Sequence, residues 1–294
     1  MFIRMLFSIF ASGIFTIILI NGAHSQFETN RGQAFAWKNM EDREFKRAKG
    51  QFRRPSPEVI GAFVPMKANI FDMEARGFIE TGLQAVYPTD AHCLKIDSPF
   101  GVNTRHDGSE RNHRFYEGLH GGADISAEGG TPLIAIANGT VVRKHLGQNI
   151  GGISIWLRHT PEDTGLDVFI YSEYKHLEEM PDLEINQKVK IGEIVGKVGN
   201  TGTTGGRAYG MEGHYHLHWT TFYSSEPGFR NRKMLIPMEG RWMDPLALFL
   251  KSSLNSKEIF ELPDEEKKVK ISYMLENGKI VPPNSKVVWP IKCK

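Results

Sequence analysis

The stretch GHYHLHW, residues 213–219, places histidines at every second position: His214, His216 and His218. A strand turns alternate side chains to one face. If the stretch is extended, all three imidazoles point the same way. Such a face suits a metal ion, but the spacing alone does not say which of the three would bind it.

The surrounding sequence supports the extended reading. From about Lys95 onward, short β-like runs alternate with glycine and turn residues: TPLIAIANGTVVRKH, GGISIWLRH, DVFIYSEYKHL, QKVKIGEIVGKVG and YHLHWTTFY. Many short strands with regular punctuation predict an all-β or β-rich domain. Asn138-Gly139, between two such runs, carries a hairpin-turn signal, and the NQ at 186–187 a weaker one. MDPLALFLKSS, 243–253, reads as a closing turn and short helix. The segment 254–294 is rich in lysine and glutamate, with two weak strand-like pieces, KVKISYML and KVVWPIK; it would add edge strands or lie on the surface.

A second stretch, HGGAD, carries His120 and Asp124 four residues apart. Two glycines weigh against a helix. On a straight strand four residues span about 13 Å, too far for both side chains to share an ion. Shared ligation requires a bend, which the two glycines permit because they accept backbone angles that other residues avoid. Imidazole and carboxylate are ordinary zinc ligands, and a catalytic zinc takes three protein ligands and leaves one position open. His120, Asp124 and one histidine of HYHLH fill that count. A third stretch, YKHL, adds Tyr174 and His176; alone, it means little.

The ordered series SPFG (98–101), HGGAD (120–124), GTPLIAIANGTVV (130–142), YKHL (174–177), VKIGEIVGKVGNTG (189–202) and HLHW (216–219) resembles the lysostaphin/LytM-type zinc metallopeptidases, bacterial cell-wall endopeptidases. The resemblance covers about residues 96–248. It implies an antiparallel-sheet, LytM-type fold (a duplicated hybrid motif), with a peptidase domain over 96–252. It also implies one Zn²⁺ per chain, held by His120, Asp124 and His218, with His176 and His216 as unligated active-site histidines. His214 has no counterpart and is read as a rim histidine; His159 is read as structural. Two departures stand out. The connection TGGRAYGMEGHY lengthens the approach to HLHW, and Trp219-Thr220 replaces the usual Phe-Glu, a change that would act on a contact behind the metal.

The implied activity is hydrolysis of peptide cross-links in peptidoglycan by a zinc-activated water, with His176 and His216 moving protons and stabilising charge. The partner would be the peptide stems of the wall, and the bond the D-alanyl–diaminopimelate cross-link rather than pentaglycine. One alternative is a silent module that binds and activates other wall hydrolases, which would have lost zinc ligands. Another is a D-alanyl-D-alanine carboxypeptidase, in which the first His and the Asp lie further apart. A histidine-rich storage surface would explain HYHLH but not HGGAD or YKHL.

The N-terminus fits an exported protein. MFIRMLFSIFASGIFTIILINGAHSQ pairs an early Arg4 with an apolar run and a small-residue site ending at Ser25, the pattern of a signal peptide cleaved at 1–25. The run is about 15 residues, short of the roughly 20 that span a bilayer, so the mature chain is expected in the periplasm or outside the cell, without stable membrane insertion. Residues 26–95 read as a polar leader with apolar segments at its end, either a linker or a pro-segment covering the groove. The formal net charge of +2 is too mild to argue for nucleic acid. Cys93 and Cys293 are the only cysteines; in an oxidising compartment they would pair or stay as separate thiols.

Overall fold

The computed structural model describes residues 55–147, 151–203, 213–232, 234–250 and 252–294. The segment 1–25 read as a signal peptide, the following residues up to 54 and the lengthened connection at 204–212 lie outside the described residues.

The strands are β1 (Gln84–Val86), β2 (Ile96–Ser98), β3 (Ala123–Ser126), β4 (Pro132–Ile134), β5 (Gly139–Leu146), β6 (Ile153–His159), β7 (Phe169–Leu177) and β8 (Lys188–Val189), followed by β9 (Ile194–Lys197), β10 (His216–Ser224), β11 (Phe229–Asn231), β12 (Leu235–Pro237), β13 (Arg241–Met243), β14 (Lys268–Lys270), β15 (Tyr273–Met274) and β16 (Ile280–Val281). The main sheet runs β2-β3-β10-β7-β6-β5-β8, and β13 also pairs with β10. Its pairings are antiparallel throughout. The expected β-rich, antiparallel fold class is therefore what the chain adopts, and helices are few and short.

Alternation along the strands gives the sheet two buried faces. On β10, Leu217 and Trp219 join the larger core with Ile125, Ile155, Leu157 and Tyr174. The opposite parity carries His216, His218 and Thr220 and ends in Phe222, which packs among Phe63, Phe78, Trp156, Tyr171 and Trp242. A polar site and an aromatic plug thus share one face. Phe63 comes from the helix Pro57–Phe63, capped by the Ser56 side chain. Its ring lies 5.2 Å from Phe222 and 5.7 Å from Trp242, and the Trp242 indole donates to the Ala62 carbonyl at 2.9 Å. Residues 55–95 are built into the core.

So is the C-terminal segment. β14 adds in parallel to β1. Trp289 is fully buried and meets Trp219 edge-on at 5.8 Å, with its indole N–H on the Leu94 carbonyl at 3.0 Å. Cys93 and Cys293 form a disulfide across a separation of 200 residues.

Two local expectations are corrected. Asn138-Gly139 is not a hairpin turn, because β4 pairs with β9 while β5 pairs with β6 and β8. Gly139 is needed for close approach: a Cβ there would lie 2.7 Å from Nδ1 of His159, which donates to the Asn138 carbonyl at 2.6 Å. Asn186 does sit in a left-handed turn, with φ 71°, but that turn leads into β8, which pairs with β5 and not with a strand before the turn. KVVWPIK forms no strand. Pro290 interrupts it, and the amides of Val288 and Trp289 go to different partners, the carbonyls of Ile136 and Ser272.

Two predictions follow from this packing. Replacing both cysteines by serine should lower stability by up to roughly 5 kcal/mol, read as a fall in Tm that the wild type shows only with reductant. Asp244 caps the turn Pro245–Phe249, accepting from the Leu246 amide at 2.9 Å and from the Thr81 hydroxyl. Burial pushes its carboxyl up to about 6. The folded state therefore holds this proton more tightly than the unfolded chain, so the stabilisation is present below pH ~4 and is lost as pH rises towards 6. Asp244→Asn should remove that slope, gaining about 2–3 kcal/mol on the wild type between pH 4 and 7; parallel denaturant titrations across that range would check it.

Candidate metal centre

Strand β10 positions the centre. In its antiparallel pairing with β3, His218 stands directly opposite Asp124, so both side chains leave the sheet on one face. The bend at Gly121-Gly122 returns His120 to the same point. Neither glycine uses a left-handed φ. Gly122 is required for another reason: a Cβ there would lie 2.6 Å from the Trp219 carbonyl oxygen and 3.0 Å from Nε2 of His218. The glycine lets β3 approach the histidine strand.

Three donor atoms converge. Nε2 of His120 lies 3.0 Å from Oδ1 of Asp124 and 3.0 Å from Nδ1 of His218, and that Nδ1 lies 2.8 Å from the same Oδ1. These three residues are the group among the described residues whose ligand atoms could hold one metal ion, all within 4.8 Å of one another. Their outer bonds fix which atoms face inward. Nδ1 of His120 donates to the Pro99 carbonyl at 2.8 Å, and Nε2 of His218 meets the Thr220 hydroxyl at 3.1 Å. Two imidazole nitrogens and a carboxylate oxygen therefore point at each other. A cation fits that donor set, which is also the usual chemistry of an open zinc site.

The charges agree. Burial alone would raise the Asp124 carboxyl, but the neighbouring His120, His218 and His216 outweigh it and hold it well below the usual carboxylate range. Burial pushes His218 down to about 3, against the pull of Asp124, so it stays neutral with its lone pair available. The second oxygen of Asp124 is held by Arg111 at 3.1 Å, whose guanidinium also reaches the Ser98 hydroxyl at 2.7 Å and the Thr104 carbonyl at 3.0 Å.

The other two singled-out histidines flank this group. His176 lies 4.8 Å from His216 and 5.7 Å from His218 between ring centroids. Nδ1 of His176 donates to the Thr201 carbonyl at 2.7 Å and Nδ1 of His216 to the His214 carbonyl at 2.9 Å, which leaves Nε2 of each ring free. Nε2 of His216 lies 3.6 Å from Oδ1 of Asp124. The backbone of His176 is left-handed, with φ 64°, at the end of β7. Burial, with the charges of His216 and Lys175, holds its imidazole well below the ordinary value.

His214 stands outside the group. It stacks on His106 at 3.9 Å and its Nε2 meets the Ser126 hydroxyl at 2.5 Å, a half-buried place at the rim. His159 is fully buried, bonded to the Asn138 carbonyl and to the Ser172 hydroxyl at 2.8 Å. Arg111 escaped the sequence reading, since nothing in its spacing marks it. Thr220 was visible as a departure, and it falls on His218 itself.

Residues 118–228 match the family model described as Peptidase family M23. This stretch of the chain is therefore similar to peptidase family M23. The match includes all five histidine and aspartate positions at the centre. Among curated proteins, the chain is 33% identical over 134 residues to an "Uncharacterized metalloprotease" of Haemophilus influenzae, covering 46% of this chain and 24% of that protein; the chain thus spans about a quarter of that relative's length. Similar solved structures include LytU, at 24% identity and TM-score 0.33 over 46% of this chain and 77% of that one. The catalytic domain of lysostaphin from Staphylococcus simulans aligns at 23% identity and TM-score 0.30 over 45% and 80%. A zinc-containing peptidase from Vibrio cholerae aligns at 21% and 0.33 over 53% and 38%.

The side chains behind this centre give a direct test. Thr220→Val or Arg111→Met should each weaken divalent-cation affinity by roughly 10- to 100-fold, measured by competition against a chromophoric chelator, with the fold unchanged by circular dichroism.

Proposed function

We propose that this chain is an exported zinc metalloendopeptidase that hydrolyses peptide cross-links of peptidoglycan. The observation that carries this reading is the convergence of His120, Asp124 and His218 on one point, with two further imidazoles beside them whose Nε2 atoms are free. The family match supports the peptidase part, and the description of the Haemophilus relative supports metal dependence. The N-terminal signal pattern supports export to the periplasm or beyond.

His120, Asp124 and His218 would hold the ion. When bound, it supplies Lewis acidity towards a carbonyl and towards water. The chain's own groups do the rest. Arg111 and Thr220 fix the ligand orientations from outside. His176 and His216, each locked by an Nδ1–H bond to a backbone carbonyl, present Nε2 as a proton acceptor for the attacking water. Once protonated, either ring donates towards the oxygen that gains charge or to the leaving amine. A silent binding module is not favoured, because every one of these five positions is intact.

The test uses the purified mature chain, residues 26–294. About one zinc per chain and release of cross-linked muropeptides from diaminopimelate-type peptidoglycan are expected. His218→Ala should lose the metal. His176→Ala should keep it and lose at least about 100-fold in rate. A preparation without zinc, or a zinc-loaded one that opens no type of wall, would overturn the reading.

A further inference from the structure

One cation on the metal-bearing face has no role so far. Directly opposed residues across the main sheet form a row: Asp124 on β3, His218 on β10, Lys175 on β7, Ser154 on β6 and His145 on β5. Opposed residues share a face, so Lys175 leaves the sheet beside the ligand histidine. Its stem runs along Gly151, where a Cβ would lie 3.4 Å from Cε and 3.8 Å from Nζ.

The surroundings of Lys175 lack a counter-charge. It makes no ion pair among the described residues. Asp124, beyond His218, is already engaged by Arg111. Glu173 stands one row away, opposite Thr220. What the row sets around Lys175 is imidazole and hydroxyl: His218 opposite on β10, Ser154 opposite on β6 and His145 beyond it on β5. The Ser154 hydroxyl next to it in the row is fully buried and has no hydrogen-bond partner. A half-buried ammonium without a counter-charge among the described residues, beside a hydroxyl that lacks an acceptor, is a donor pair that an anion would complete.

We propose that Lys175 is a carboxylate-binding position of the substrate groove and selects peptides that carry a carboxylate close to the scissile bond. The proposal deepens the wall-peptidase reading and rests on it. It also discriminates between walls. In a D-alanyl–diaminopimelate cross-link, the carbon attached to the scissile nitrogen bears a carboxylate. A glycine bridge offers none at its internal bonds. A Lys175 subsite therefore assigns the chain to the diaminopimelate type.

The test compares two soluble cross-linked muropeptide dimers, one with that carboxylate free and one with it amidated, using the zinc-loaded mature chain. The wild type should prefer the free carboxylate by roughly 10- to 100-fold in kcat/KM, mostly through KM. Lys175→Met should bring the two dimers close to parity, chiefly by raising KM for the free-carboxylate dimer, with unchanged zinc content. Lys175→Arg should restore most of the preference. Calorimetric binding to zinc-loaded His176→Ala, with and without Lys175→Met, gives the same comparison without turnover. If both dimers are cut equally by the wild type, or Lys175→Met keeps the preference, the subsite is wrong while the peptidase reading stands. If neither dimer is cut, the peptidase reading falls, and the subsite falls with it if both dimers also bind equally.

Discussion

The register between β10 and β3 is the constraint on which the rest depends. His218 faces Asp124 because those two residues are directly opposed in an antiparallel pair. A slip of one residue would send the histidine into the larger core and bring Leu217 to the polar face. Much of the molecule defends this register. Gly122 admits the close approach of the two strands, Trp219 and Phe222 bury opposite faces of β10, and Trp289 backs Trp219 from the C-terminal segment. The Cys93–Cys293 bridge ties that segment to the chain just before β2.

Charge is handled by a division of labour around the same strand. Asp124 splits its oxygens, one towards the imidazoles and one towards Arg111, so a buried carboxylate is matched by a fixed guanidinium without losing the atom that faces the centre. Burial keeps the rings of His176 and His218 uncharged. The outcome is a set of two imidazole nitrogens and one carboxylate oxygen, the donor set of an open zinc site.

How much of this was legible depended on range. The period of two in HYHLH shows directly on β10, and the bend in HGGAD was readable from its glycines. The reason for those glycines was not, since the contact they permit comes from Trp219, far along the chain. Arg111 was invisible for the same reason: it reaches Asp124 from an irregular loop whose path no periodicity describes. Asn138-Gly139 misled because a local turn signal competed with a long-range demand, the approach of His159. The C-terminal segment read as edge strands or surface because its lysines and glutamates outnumber its apolar residues; β14 does add to β1, and Val269, Ile271, Tyr273, Trp289, Ile291 and Cys293 commit the segment to the core.

One feature of the histidines bears on how this molecule tolerates change. His120, His176 and His216 are each oriented by a main-chain carbonyl, those of Pro99, Thr201 and His214. A carbonyl is supplied by any residue, so those three neighbours are free to drift in identity while the rings keep their aim. His218 leans instead on a side chain, Thr220, while His120 adds only a long 3.4 Å contact with the Ser98 hydroxyl to its carbonyl bond. Substitutions accumulating around the centre over evolutionary time would be filtered unevenly, with broad latitude beside three of the rings and a narrow choice beside the fourth.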